Sequence, residues 1–150
     1  MPLKNPYAKI QVLLRGADME KEISFGNFRY AYSRSEDPLR QDFARHMHNL
    51  YEIVFIVDGN HEYVVDNKKF IFKPFDLLIV PPKRFHFVNI LPHSPYERHV
   101  LNFNEDDLPQ YLLDKIFNKS KQYCLTEDNQ VSRIFGTFFN YSDRFQPQER

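Results

Sequence analysis

The sequence has no tryptophan, one cysteine and only four glycines in 150 residues, and its 20 basic side chains are matched by 20 acidic ones. A lone thiol, Cys124, cannot close an internal disulfide, which excludes a disulfide-stapled scaffold and makes a reducing cytoplasm the expected location. The charge balance is also local, with net values of +2 over residues 1–45, 0 over 46–103 and −2 over 104–150. No stretch is therefore a basic footprint for nucleic acid. The longest uninterrupted aliphatic or aromatic run, Ile53 to Val57, is five residues, too short for a membrane-spanning helix. The opening Met1-Pro2-Leu3-Lys4-Asn5-Pro6 lacks the apolar stretch of a secretory signal. No repeat or low-complexity linker is visible. What is present is a large aromatic supply, 15 Phe and 9 Tyr, in a chain of one-domain length that can bury a sizeable core.

Hydrophobic period divides the chain into three parts: an N-terminal arm over 1–26, a β region over 27–103 and a helical appendage over 104–150. The middle part consists of short runs rich in Val, Ile, Phe and Tyr between turn residues. Strands are expected near Asn27–Ser33, Ala44–His48, Tyr51–Asp58, Glu62–Val65, Phe70–Lys73, Leu77–Val80, Phe85–Asn89 and Tyr96–Phe103. Asp58-Gly59-Asn60 and Asp66-Asn67 supply the turn chemistry. Strands this short and this evenly spaced imply a sandwich or a closed barrel. After Phe103 the period becomes helical, with one stripe through Leu108, Leu112, Leu113, Ile116 and Phe117. A second helix is expected over about Asn129–Tyr141 through Val131, Ile134, Phe135, Phe138 and Phe139. Within the arm, Pro6–Gly16 reads as a short helix and the rest as an extended arm.

The longest strand is apolar on both sides. Glu52, Val54 and Ile56 point one way, and Tyr51, Ile53, Phe55 and Val57 point the other. Such a strand needs cover on both faces, one lining a barrel interior and one meeting the helices, another sheet or a partner subunit.

All six histidines lie between residues 46 and 99. His46 and His48 are two apart and share the parity of Glu52, and His86 arrives from a separate strand. Three imidazoles and a carboxylate form an N₃O donor set suited to a divalent transition metal such as Zn, Fe, Mn or Ni. Without a metal, Glu52 would need a histidine or an arginine as partner to offset its desolvation. Arg98 either reaches a ligand or pairs with a carboxylate. Tyr63, Phe70, Phe72, Phe85 and Phe87 are stacking or core-filling candidates. His61, His93 and His99 read as exposed or turn residues without a role, and Cys124 has no partner at a motif spacing.

These residues carry a resemblance. His46-Met-His48-Asn-Leu-Tyr-Glu52 followed by Gly59 is similar to the first cupin motif, and Asp76 through Pro81 to His86 is similar to the second. Phe75 and Lys83 stand where cupins usually carry glycines, and Asn89 sits one place early. Tyr51-Glu52-Ile53, Asp76 to Pro82, His86 and Tyr96 to Phe103 with the helical tail resemble the sensor domain of AraC-type transcriptional regulators.

The resemblance implies a mainly β fold, a double-stranded β-helix (cupin barrel) with C-terminal α-helices. It further implies a small-molecule effector, a carbohydrate among the candidates, bound by His46, His48, Glu52, His86 and Arg98. Homodimerisation is expected through the helices, and no cofactor is required for sensing. DNA is expected to be contacted only through a helix-turn-helix domain absent from this chain. The alternative is a metal-dependent cupin enzyme, a dioxygenase or an isomerase, with His46, His48, Glu52 and His86 as ligands.

Overall fold

The structure, a computed structural model, describes residues 8–15 and 18–144. Among these, ten strands form two antiparallel sheets. In chain order they are β1 (Ala8–Arg15), β2 (Asp18–Phe25), β3 (Phe28–Ser35), β4 (Tyr51–Asp58), β5 (Glu62–Val65), β6 (Lys68–Ile71), β7 (Asp76–Val80), β8 (His86–Asn89), β9 (Tyr96–Phe103) and β10 (Lys121–Cys124). The large sheet runs β1-β2-β3-β9-β4-β7-β10 and the small one β6-β5-β8. Helices α1 (Gln110–Ile116) and α2 (Gln130–Arg144) follow the barrel. No helix among the described residues is long and apolar enough to cross a membrane.

Alternation along the strands sorts the side chains. Val54 and Ile56 of β4, Leu78 and Val80 of β7, and Tyr96 and Val100 of β9 face Tyr63, Val65, Phe70 and Val88 of the small sheet. These residues fill the space between the sheets as one buried cluster. The opposite face of the large sheet presents Tyr30, Tyr32 and Phe55, and α2 covers it with Val131, Phe135, Phe138 and Phe139. Helix α1 brings Leu113 and Ile116, with Phe117 just beyond it, onto Ile79, Phe103, Tyr51 and Ile53. Strand β4 is thus buried on both faces, as its two apolar parities require. Asn129 opens α2 by accepting the Ser132 backbone N–H at 2.8 Å.

Three local expectations differ from what is observed. Among the described residues the arm forms no helix: β1 and β2 make an antiparallel hairpin that extends the large sheet through β3, while Pro6, Tyr7 and Gly16 of the expected helix lie outside those residues. Residues 44–48 form no strand, and only a single bridge joins His46 to His86. An unforeseen strand, β10, pairs with the edge of β7 through Lys121–Cys124, where backbone hydrogen bonding outweighs weak apolar patterning.

Gly59, which follows β4, has φ +107°, and a Cβ there would lie 2.1 Å from the carbonyl oxygen of Pro95. Both the backbone conformation and the close approach demand glycine. Gly59→Ala is expected to lower stability by about 3 kcal/mol, since positive φ and a backbone clash add. Urea denaturation measures this, and a loss below about 0.5 kcal/mol, the ordinary range for a surface substitution, would contradict it.

Candidate functional site

The loop from Glu36 to Leu50, with a single 3-10 turn over Arg40–Phe43, connects β3 to β4. Its residue His46 exchanges two main-chain hydrogen bonds with His86 at the start of β8, at 3.0 and 2.9 Å. Two residues on, the His48 carbonyl accepts the Lys83 N–H at 2.9 Å. The loop is therefore laced to the chain entering β8 although it is not a strand. This lacing brings the three rings together, with centroids 4.1 Å apart for His46 and His86 and 5.0 Å for His48 and His86.

The hydrogen bonds of the rings fix their chemistry. His46 Nδ1 lies 2.9 Å from the Ala44 carbonyl oxygen, His48 Nδ1 3.0 Å from that of Leu50, and His86 Nδ1 2.9 Å from that of Arg84. A carbonyl oxygen only accepts, so each neutral ring carries its proton on Nδ1 and leaves the Nε2 lone pair free. Main-chain carbonyls thus orient all three imidazoles in the way that metal-ligating histidines are oriented. One ligating nitrogen from each lies within 4.8 Å of the others. Ring adjustment alone would suit an ion, whose tetrahedral nitrogen ligands at about 2.1 Å lie about 3.4 Å apart.

Glu52, on the inner face of β4, sits beside two of the three. Its Oε2 is 3.1 Å from His86 Nε2 and 3.5 Å from His48 Nε2, and it accepts the Tyr63 hydroxyl at 3.2 Å. Yet His86 Nε2 is buried without a hydrogen-bond partner. The close approach of Glu52 Oε2 to His86 Nε2 asks for positive charge between them, which a shared cation supplies. The donor set and the orphaned nitrogen therefore fit a divalent metal. Burial pushes the Glu52 carboxyl up, but contacts with His48 and His86 and the charge of Arg98 hold it well below the usual carboxylate range. Contact with Glu52 raises the His48 pKa against the opposing effect of burial. For Tyr63, burial and then the Glu52 charge push the phenol well above its ordinary value, so it stays protonated and donates.

Arg98 lies on the same inner face of β9 as Tyr96 and Val100, but it forms no ion pair among the described residues. Its Nη1 donates to Tyr96 Oη at 3.3 Å. Its Nε is buried and unpartnered.

The AraC-like ligand binding domain matches residues 32–148. The chain belongs to this family. No curated protein matches it. Solved structures with similar folds include a cupin protein from Bacteroides fragilis, 17% identical, with a TM-score of 0.53 over 71% of this chain and 94% of that one. A Photorhabdus luminescens protein is 16% identical, with a TM-score of 0.50 over 64% of this chain and 82% of its own. Hydroxypropylphosphonic acid epoxidase from S. wedmorenis, solved in complex with fosfomycin, is 10% identical, with a TM-score of 0.51 over 63% of this chain and 55% of its own. These likenesses establish the cupin fold, mainly β with C-terminal helices.

This AraC-like domain departs from the usual glycines without losing the turns. Phe75 and Lys83 adopt φ of 72° and 61°. The Phe75 N–H donates to the Ile56 carbonyl and its ring packs under α2, so tertiary contacts hold a conformation that side chains disfavour.

Two histidines expected to be exposed are buried. His61 is sealed by Pro95 and Leu91, its Nε2 2.9 Å from the Pro95 carbonyl and its Nδ1 accepting the Leu91 N–H at 3.0 Å. His99 lies between the large sheet and α2, stacked on Phe135 and 2.8 Å from Tyr30 Oη. Parity held the signal for His99, because it shares the outer face of β9 with Leu101 and lies opposite Phe55. Of the stacking candidates, Tyr63, Phe70 and Phe72 are core, and Phe85 is exposed with Arg45 over its ring. Cys124 is exposed, and the neighbouring Asp76 carboxylate raises its pKa.

Proposed function

We propose that this AraC-like domain is the effector-sensing and dimerisation unit of a transcriptional regulator, with its effector held at the barrel end by His46, His48, Glu52, His86 and Arg98. The family match over residues 32–148 carries this reading. DNA is then contacted by a helix-turn-helix domain outside this chain, and the regulator acts in the cytoplasm. A carbohydrate is one candidate effector. Occupancy changes the packing of the loop over the barrel end and, through it, the helices, to the extent that the effector prefers one arrangement.

Dimerisation uses the helical appendage over 104–150. Helix α2 buries Phe135 against the sheet while Ile134 remains 57% exposed, and α1 leaves Tyr111 67% exposed, which supports a subunit contact there. Light scattering at micromolar concentration is expected to give twice the 18.1 kDa chain mass. A strictly monomeric chain would contradict the dimer.

A second reading, a metal-dependent cupin enzyme of the dioxygenase or isomerase type, is favoured by the three carbonyl-oriented imidazoles. His46, His48 and His86 would hold Zn, Fe, Mn or Ni with Glu52 beside them, and the bound ion would supply a Lewis-acid centre. Tyr63 donates to Glu52 and keeps its carboxylate turned to the histidines. Elemental analysis of protein purified without chelator separates the readings. An enzyme carries about one equivalent of metal, and below about a tenth of an equivalent that reading fails.

A further inference from the structure

Arg98 is a partly buried cation on the inner face of β9, and the described residues leave one of its donors unmet. Its guanidinium has five donors, and among the described residues its one hydrogen bond is the 3.3 Å bond from Nη1 to Tyr96 Oη. Nε is shut off from solvent without a partner. The rings of Phe43 and Tyr96 lie 5.2 and 5.0 Å from its central carbon, so part of its surroundings is aromatic rather than carboxylate. Leaving such a group short of acceptors is costly, and ordinary strand arginines avoid it: Arg34 reaches Glu36 and Glu97, and Arg29 reaches Glu22. Among the described residues the carboxylate that influences Arg98 is that of Glu52, and its Oε2 is engaged by Tyr63 and lies against His48 and His86.

We propose that Arg98 is the anion anchor of the effector site and that the effector is a small carboxylate. The proposal rests on the reading of this barrel end as the effector site and names the ligand class. An effector carboxylate supplies the in-plane acceptor that Nε lacks and a second for an adjacent Nη group, in the paired geometry that arginine matches. Crowding by Phe43, Tyr63 and Tyr96 favours a compact, singly charged planar group over a bulkier, more strongly hydrated phosphate.

Titration of the chelator-treated protein with sodium acetate, followed by the NMR signal of the Arg98 Nε–H and the backbone amides of Tyr96 to Val100, tests this. Sodium chloride at equal ionic strength and inorganic phosphate are the comparison arms. Acetate is expected to shift these signals saturably while chloride does not. Arg98→Met, which keeps an apolar stem among the aromatic rings, is expected to weaken the response of the remaining amides by at least about tenfold, the loss of a charge-assisted pair. Absent or chloride-like shifts, equal acetate binding by Arg98→Met, or tighter binding of phosphate than of acetate would each overturn the proposal. Repeating the titration with zinc added keeps the metal question separate: acetate binding that needs zinc and ignores Arg98 defeats the anchor and leaves the metal centre standing. Saturable acetate binding alongside a monomeric chain defeats the dimer reading and leaves the anchor.

Discussion

Replacing His86 by alanine is expected to weaken zinc binding to the chelator-treated protein by at least about 100-fold, at or above the upper end of what loss of a supporting group costs a metal site. His86 is the one member of the triad that is buried, at 1% exposure, its Nε2 has no hydrogen-bond partner, and a ring nitrogen of each of the three lies within 4.8 Å of the others. Its removal leaves the main-chain exchange between residues 46 and 86 in place, so the loop should keep its path and the loss should report the ligand itself. Alanine at His46, an exposed residue, is expected to cost less, and alanine at His93, exposed and outside the cluster, nothing. Competition against a coloured chelator measures all three. Equal affinities for wild type and His86→Ala, or no zinc uptake by either, would remove the metal centre.

The second large effect lies on the far side of the large sheet. Burial among aromatic rings lowers the pKa of His99 to about 4, against 6.5 for an imidazole in water. An unfolded chain takes up a proton on this ring as the pH falls below 6.5, while the folded one refuses it until near 4. Stability from this group is therefore complete above 6.5 and lost as the pH drops through that window, by about 3 kcal/mol in all. Because His99 is stacked between Phe135 of α2 and the sheet residues Tyr30 and Phe55, the helix is the element that protonation should loosen. His99→Gln, which does not titrate, is expected to flatten the fall in urea stability between pH 7 and 4.5 by most of that amount. An unchanged slope would mean that the ring is already charged or free in the folded protein.

How far residues alone reveal this protein depends on what each one is asked to do. Strand β4 was legible because both of its parities are apolar, which forces cover on two sides. The histidine cluster was legible from spacing, although the path is a laced loop rather than a strand running on to Glu52. A bend at Asn49 and Leu50 lets His48 meet Glu52 despite the break. The hairpin of β1 and β2 was hidden in part because Lys21 interrupts the apolar alternation of β2. Its charged side chain is buried with Nζ 3.5 Å from the Phe139 ring, where the sequence suggests solvent. Strand β10 carries almost no apolar signal and exists through its backbone pairing with β7. His61 gave no local warning, because its partners are main-chain groups some 30 residues away in sequence.

The glycine departures show the same division. A side chain at position 75 or 83 argues locally against a left-handed turn, and tertiary hydrogen bonding overrules it. Arg98 stands between the two cases: its place on the inner face follows from parity, but its lack of a carboxylate partner emerges only when every neighbour is placed.

The most direct measurement is the tautomer of each imidazole, read from long-range ¹H–¹⁵N correlations in metal-free protein at pH 8. His46, His48 and His86 are all expected to carry their proton on Nδ1, with three bare Nε2 atoms gathered in one cluster, and these three nitrogens alone are expected to shift when zinc is added. Protons found on Nε2 in two or more of the rings would contradict this, because the lone pairs would then face the backbone and nothing would gather at the centre.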